Sequence, residues 1–276
     1  MRDRLRSLWN FDDLGASARR LDAQLEHEHS DPGRAEVLTQ LARVQGLRGD
    51  FDGCEELLRQ AEGLAGDDPV ARVRVDLERG RKLRSSGKAE ASVPLFEAAF
   101  ERAHRSGEPF LAGDAAHMVA IADPDKLLEW TERGLQLAAS EPEAAYWAGP
   151  LLNNLGWHHF ETGDYDAALE VFERALEARE RDPENPDEVE IARYAVGKTL
   201  RALGRPEEAA ALLEHCVANS EPDPYFHEEL AETYAALGRS GEAREHAEVA
   251  ARLVSARSSR SGRARRQGAS PRPRRI

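Results

Sequence analysis

The chain has 276 residues, 41% of them hydrophobic, 32% charged, only 6% aromatic, with two cysteines. Ala, Leu, Glu and Arg are abundant, the residues that lose least side-chain entropy in a helix; strand-forming runs are missing, so an all-α fold is favoured and a disulfide framework excluded. The net charge of −13 is uneven: residues 255–276 hold eight arginines and no acid, which leaves −13 − 8 = −21 on residues 1–254, a body that repels nucleic acid and anionic membranes.

Residues 1–30 carry charge throughout, and no apolar run approaches the length needed to span a bilayer, so a cytoplasmic location is the expectation. Phe11-Asp12-Asp13, followed by Leu14, Leu21 and Leu25, reads as a lone helix capping what comes next. From there to residue 254 the sequence repeats itself. Leu155-Gly156 through Gly163-Asp164-Tyr165-Asp166-Ala167-Ala168 echoes Leu41-Ala42 through Gly49-Asp50-Phe51-Asp52-Gly53-Cys54. Similar turns stand at Gly87, Gly204 and Gly238, and a weaker one, without glycine, at Ala122. Successive turns are 38, 35, 41, 41 and 34 residues apart, the length of a helix–turn–helix unit with short insertions.

The same chemistry recurs at fixed offsets from each turn. Seven residues before stand Ala42, Gly80, Ala115, Gly156, Gly197 and Ala231; five after, Cys54, Ser92, Leu127, Ala168, Ala209 and Ala243. Twelve after come Ala61, Ala99, Gly134, Ala175, Cys216 and Ala250. Only Leu127 is large. Two antiparallel helices approach closely where side chains are small, and the larger Leu58, Phe96, Phe172 and Leu213 then fill the space beside them. Gly at the turn supplies the left-handed residue that ends one helix, and Asp after it caps the next. Pro94 falls inside a second helix, where it costs one backbone bond.

This pattern resembles the tetratricopeptide repeat family, in its bacterial form, over roughly residues 35–253; Leu155-Gly156…Gly163-Asp164-Tyr165…Ala168…Phe172…Ala175 matches it closely. The resemblance implies an all-α, right-handed superhelical solenoid of about six helix–turn–helix units behind an N-terminal capping helix. The boundaries expected are 1–30 for the leader, 31–254 for the solenoid and 255–276 for an Arg-rich tail too polar to order itself. Unit three departs most, with no turn glycine and Asp114 where Leu is usual.

In such a solenoid the first helix of each unit lines the concave surface. That places Arg43 from unit one and Arg74, Arg81 and Arg84 from unit two in the groove. Unit four adds Asn153, Asn154 and Trp157, unit five Tyr194, Lys198 and Arg201, and unit six the acidic set Glu228, Glu229 and Glu232 behind Tyr225. The expectation is a cationic stretch beside an aromatic and amide centre, suited to a partner's peptide segment, acidic or ending in its C-terminal carboxylate. A chain obstructing that inner wall would defeat the idea.

Asp114 and His117, three apart, share a helix face and read either as a buried structural pair or as ligand contacts; no third group stands beside them for catalysis. His158 and His159 point about 100° apart and do not chelate one ion, and Cys54 and Cys216 fill small-residue slots. No phosphate loop, HExxH or CxxC motif occurs, so neither cofactor, metal nor enzymatic activity is expected. The leading expectation is a protein-binding scaffold. Its competitors are a self-oligomerising scaffold built on a poorly covered sixth unit, and the sensor module of a bacterial regulatory system. The tail's arginines leave weak attraction to nucleic acid or an anionic membrane open.

Overall fold

The computed structural model describes residues 3–182 and 185–266, with side chains as far as residue 256. Among the described residues there are thirteen α-helices and no strand. They fall into two compact units that divide between Trp147 and Ala148.

In the first unit α1 (Leu14–His27) precedes three hairpins: α2 (Asp31–Arg48) with α3 (Phe51–Ala65), α4 (Pro69–Ser85) with α5 (Ala89–Arg105), and α6 (Pro109–Ala122) with α7 (Leu127–Ser140). First helices α2, α4 and α6 lie side by side. The second unit repeats the plan with α8 (Ala148–Glu161) and α9 (Tyr165–Glu180), α10 (Pro186–Ala202) and α11 (Pro206–Asn219), and α12 (Pro224–Ala236) and α13 (Ser240–Arg266). Stacked helix hairpins of this kind are the all-α repeat solenoid that the sequence pattern implies.

The turn chemistry follows the sequence. Gly49 and Gly163 both have φ of 81°, a region closed to most side chains. Asp50 and Asp164 then donate their backbone N–H groups back to Gln45 and His159, six-to-one bonds that close the helix end. The same two carboxylates turn forward and accept from Gly53 and Ala167, at 2.9 and 3.3 Å. Proline opens α4, α6, α10, α11 and α12, where its missing N–H costs nothing. Pro94 is carried inside α5, which continues unbroken to Arg105.

Small residues do bring the helices together. A Cβ on Gly156 would stand 2.5 Å from the Phe172 ring, and one on Gly80 would stand 2.4 Å from the Phe96 ring. Both phenylalanines are fully buried. In unit three a 3-10 turn, Pro124–Lys126, replaces the tight hairpin, and Leu127 opens α7 instead of facing its partner from the helix interior.

Two boundaries differ from expectation. The leader is more than a capping helix: α1 does pack Leu14, Leu21 and Leu25 against the α2 core, but residues 3–11 run ahead of it over other helices. At the other end α13 continues to Arg266, past the expected start of the tail at residue 255. The charge repulsion of successive arginines is no obstacle to a helix already propagating from α13's packed half, since Arg is a good helix former. The tail's Arg272, Arg274 and Arg275 lie outside the described residues.

Candidate functional site

The first-helix face of the first unit is covered by its own N-terminus. Leu5 is 1% exposed, packed with Leu21, Leu38 and Leu41. Around it runs an alternating chain of charges. Arg4 bonds Glu28 at 2.7 Å and Glu36 at 3.0 Å, and Glu36 accepts from Arg74 at 2.9 Å. The Arg74 guanidinium reaches both oxygens of Asp3, seventy-one residues away in sequence. Burial works against the Asp3 charge, but the hydrogen bonds and charge of Arg74 outweigh it and hold the carboxyl below its ordinary pKa. Trp9 donates its indole N–H to Gln40 at 3.0 Å and stacks on Phe11 at 4.8 Å. Arg43 lies over both rings, and Arg6 lies over Phe11 and Tyr146.

Each basic residue expected in this part of the groove therefore has a local partner. Arg74 is only 4% exposed between Asp3 and Glu36. Arg81 spans Glu78 and Asp114 at 2.5 Å each; burial opposes its charge, and the two carboxylates more than restore it. Arg43 faces Glu78 at 3.6 Å, and Arg84 donates to the Ile121 carbonyl at 3.3 Å. Asp114 is buried and bound to Arg81, whereas His117 packs against the Trp147 ring at 5.4 Å. Arg74 and Arg81 are buried structural cross-ties, whereas Arg84 is exposed and meets no acid among the described residues. The pairing of those two follows from physics, because an unpaired charge at such burial is costly.

The second unit differs. Here the first-helix face of α10 and α12 holds an open cleft of about 330 Å³, lined by Tyr194, Lys198, Tyr225, Glu228, Glu229 and Glu232. Glu229, 2% exposed, forms its floor and takes both nearby cations, Lys198 on one oxygen and Arg201 on the other. Arg201 also reaches Glu232 at 2.6 Å. Tyr225 is 53% exposed at the rim, while Tyr194 packs on Phe226 at 5.4 Å. Burial, reinforced by Glu229, Glu228, Asp223 and Glu232, raises the Tyr194 phenol pKa well above the ordinary value. The cleft's potential is negative.

On α8, Trp157 is half-buried, set edge-on to Phe160 and Phe172 at 5.5 and 5.1 Å. Asn153 is half-buried beside it, and the Asn154 side-chain nitrogen is buried with no hydrogen-bond partner among the described residues. His158 and His159 show their rings edge to face at 5.8 Å. Both cysteines are buried and free; burial pushes the Cys54 thiol up to about 11, so packing is what the two side chains contribute.

Sequence reasoning missed Asp3, Arg4 and the Trp9–Phe11 stack. Two aromatics within three residues, ahead of the first helix cap and out of helical register, were the available signal in a chain so poor in aromatic residues. It also missed the neutralising acids Glu36 and Glu78, which sit on the same first helices as the arginines.

Three family models, each described as tetratricopeptide repeat, match residues 35–60, 147–221 and 194–258, together half of the chain. No curated protein matches. Among solved structures, the chain is similar to a STAND signal-transduction ATPase with a tetratricopeptide repeat sensor from Pyrococcus horikoshii (TM-score 0.66, 14% identity over 86% of this chain). It spans 39% of that ATPase's length. Aspartyl phosphate phosphatase F from Bacillus subtilis is similar at TM-score 0.58 and 12% identity, over 90% of this chain and 68% of the phosphatase. NprR in complex with its cognate peptide NprX is similar at 0.53 and 14%, over 89% and 75%.

Proposed function

The chain belongs to the tetratricopeptide-repeat family, and on that premise we propose that it is a non-catalytic binding module that holds a peptide segment of another protein on the first-helix face of its second unit. One observation carries the reading: the first unit's equivalent face is already occupied by residues 3–11, and the second unit's is an open cleft. Residues 3–11 occupy their face in the manner of a docked peptide, with a buried leucine anchor, an aromatic pair and paired charges along the edges. This occupancy supports a second segment docking in the same way on the second unit, whose cleft none of the described residues fills.

Tyr225 at the rim supplies exposed aromatic surface, and Glu228 and Glu232 beside it supply hydrogen-bond acceptors, for such a guest. NprR, whose fold is similar, was solved with a peptide bound. A short segment in such a cleft reaches micromolar affinity, about −8 kcal/mol. Placing a photo-crosslinking amino acid at Tyr225, and separately at Glu173 on the exposed side of α9, tests this in the native lysate. The expected result is one linear segment of a partner joined to position 225 and absent from position 173. Equal capture at both positions, or at neither, defeats the reading.

A further inference from the structure

The second unit's cleft is built around two cations, which invites an anionic guest, yet its charge balance says the opposite. Lys198 and Arg201 face Glu228, Glu229 and Glu232, two positive charges against three negative. Both cations are committed to Glu229, a carboxylate almost fully withdrawn from water. An incoming carboxylate finds only the donors that Glu229 and Glu232 leave over, in a cleft with one net negative charge, and drawing either cation away would leave Glu229 buried with half its compensation. An incoming cation disturbs neither bond. It meets Glu228, which is exposed and forms no ion pair among the described residues, and Glu232, which keeps one oxygen beyond its contact with Arg201. It also meets the open ring of Tyr225, where a guanidinium or ammonium gains from the π-face. The Tyr194 hydroxyl, protonated like any phenol at neutral pH and held more firmly so by burial and the surrounding carboxylates, retains oxygen lone pairs as acceptors.

We propose that this cleft selects a lysine or arginine side chain on the bound segment, seated between the Tyr225 ring and the carboxylates of Glu228 and Glu232. The inference rests on the peptide-binding reading above and reverses the guest chemistry that the first-helix arginines and lysine suggest in the sequence. The strongly acidic body, −21 over residues 1–254, adds long-range attraction for a basic segment and lowers the encounter barrier at low salt.

Random-peptide display on the whole chain, with no partner assumed, tests it. Selected peptides are expected to be enriched in Lys or Arg and to weaken as salt is raised. Affinity for them should fall about tenfold in Glu228→Gln/Glu232→Gln, two surface ion pairs together with the loss of negative field at Tyr225. Tyr225→Ala should weaken them as well. Both sets of substitutions are at exposed or half-exposed positions, and circular dichroism checks that helicity is retained. Peptides of apolar or acidic composition that need Tyr225 but bind the double variant normally overturn the cation preference and leave the cleft a docking site. Basic peptides that bind the double variant as they bind wild type overturn it too, since the general acidity of the chain then accounts for them. If no selected peptide depends on Tyr225, Glu228 or Glu232, the cleft is not the docking surface and the underlying reading falls with the inference.

Discussion

At the scale of single residues, the repeat is enforced by what is missing from two glycines. Gly80 and Gly156 stand where a phenylalanine ring from the neighbouring helix touches the backbone. Gly156→Val puts branched carbon into the Phe172 ring and β-branching into α8; a loss of about 2–3 kcal/mol is expected in urea unfolding, with Gly204→Ala strained by its φ of 74° but not by crowding. Arg74 makes a different case. Removing it strands the Asp3 carboxylate and leaves Glu36 with Arg4 alone, so Arg74→Ala should cost about 3 kcal/mol, whereas Asp3→Ala leaves the guanidinium with Glu36 and should cost less. Equal and small losses in unfolding would show that the N-terminal segment is not anchored there. These positions also mark what a sequence can tell. The glycines were legible, because the repeat shows glycine or alanine at the same offset six times. The fate of Arg74 was not, because its partners lie thirty-eight and seventy-one residues away and belong to no repeat.

Among the elements, α12 and α13 are joined by a histidine pair. His227 and His246 bring their Nδ1 atoms to 2.9 Å with the rings stacked, an arrangement in which one nitrogen donates and the other accepts. Burial, and then the neighbouring His246, hold the His227 pKa below its ordinary value of about 6.5, with Asp223 pulling weakly the other way. The unfolded chain therefore binds the proton more readily than the fold. Stability from this pair is complete above about pH 6.5 and declines as the pH falls from there through the lower folded value. Unfolding measured between pH 7.5 and 5.5 should show wild type losing more stability than His227→Gln/His246→Gln; parallel curves would dismiss the pair as a source of pH sensitivity. None of this was readable from spacing, since the residues are nineteen apart on separate helices and only the hairpin's register aligns them. The helices themselves were readable, turn by turn, because Gly, Asp and Pro punctuate their ends. Unit three, which lacks that punctuation, is where the tight hairpin gives way to a 3-10 turn.

For the molecule as a whole, the repeat pattern revealed the architecture and misjudged the electrostatics. A periodic sequence reports the side chains that each hairpin must bury; it does not report how a nonperiodic segment crosses several hairpins at once. Residues 3–11 are that segment, and their bonds to α2, α4 and Tyr146 connect parts of the first unit that are distant along the chain. A consequence concerns timing. Translation runs from the N-terminal side, so Asp3 is made before Arg74, yet it finds its place only after Arg74 exists and α4 has formed. Residues 3–11 leave the ribosome before the first hairpin and are thus fixed only after the second, and the first unit must close over a loop of some seventy residues before its charges are matched.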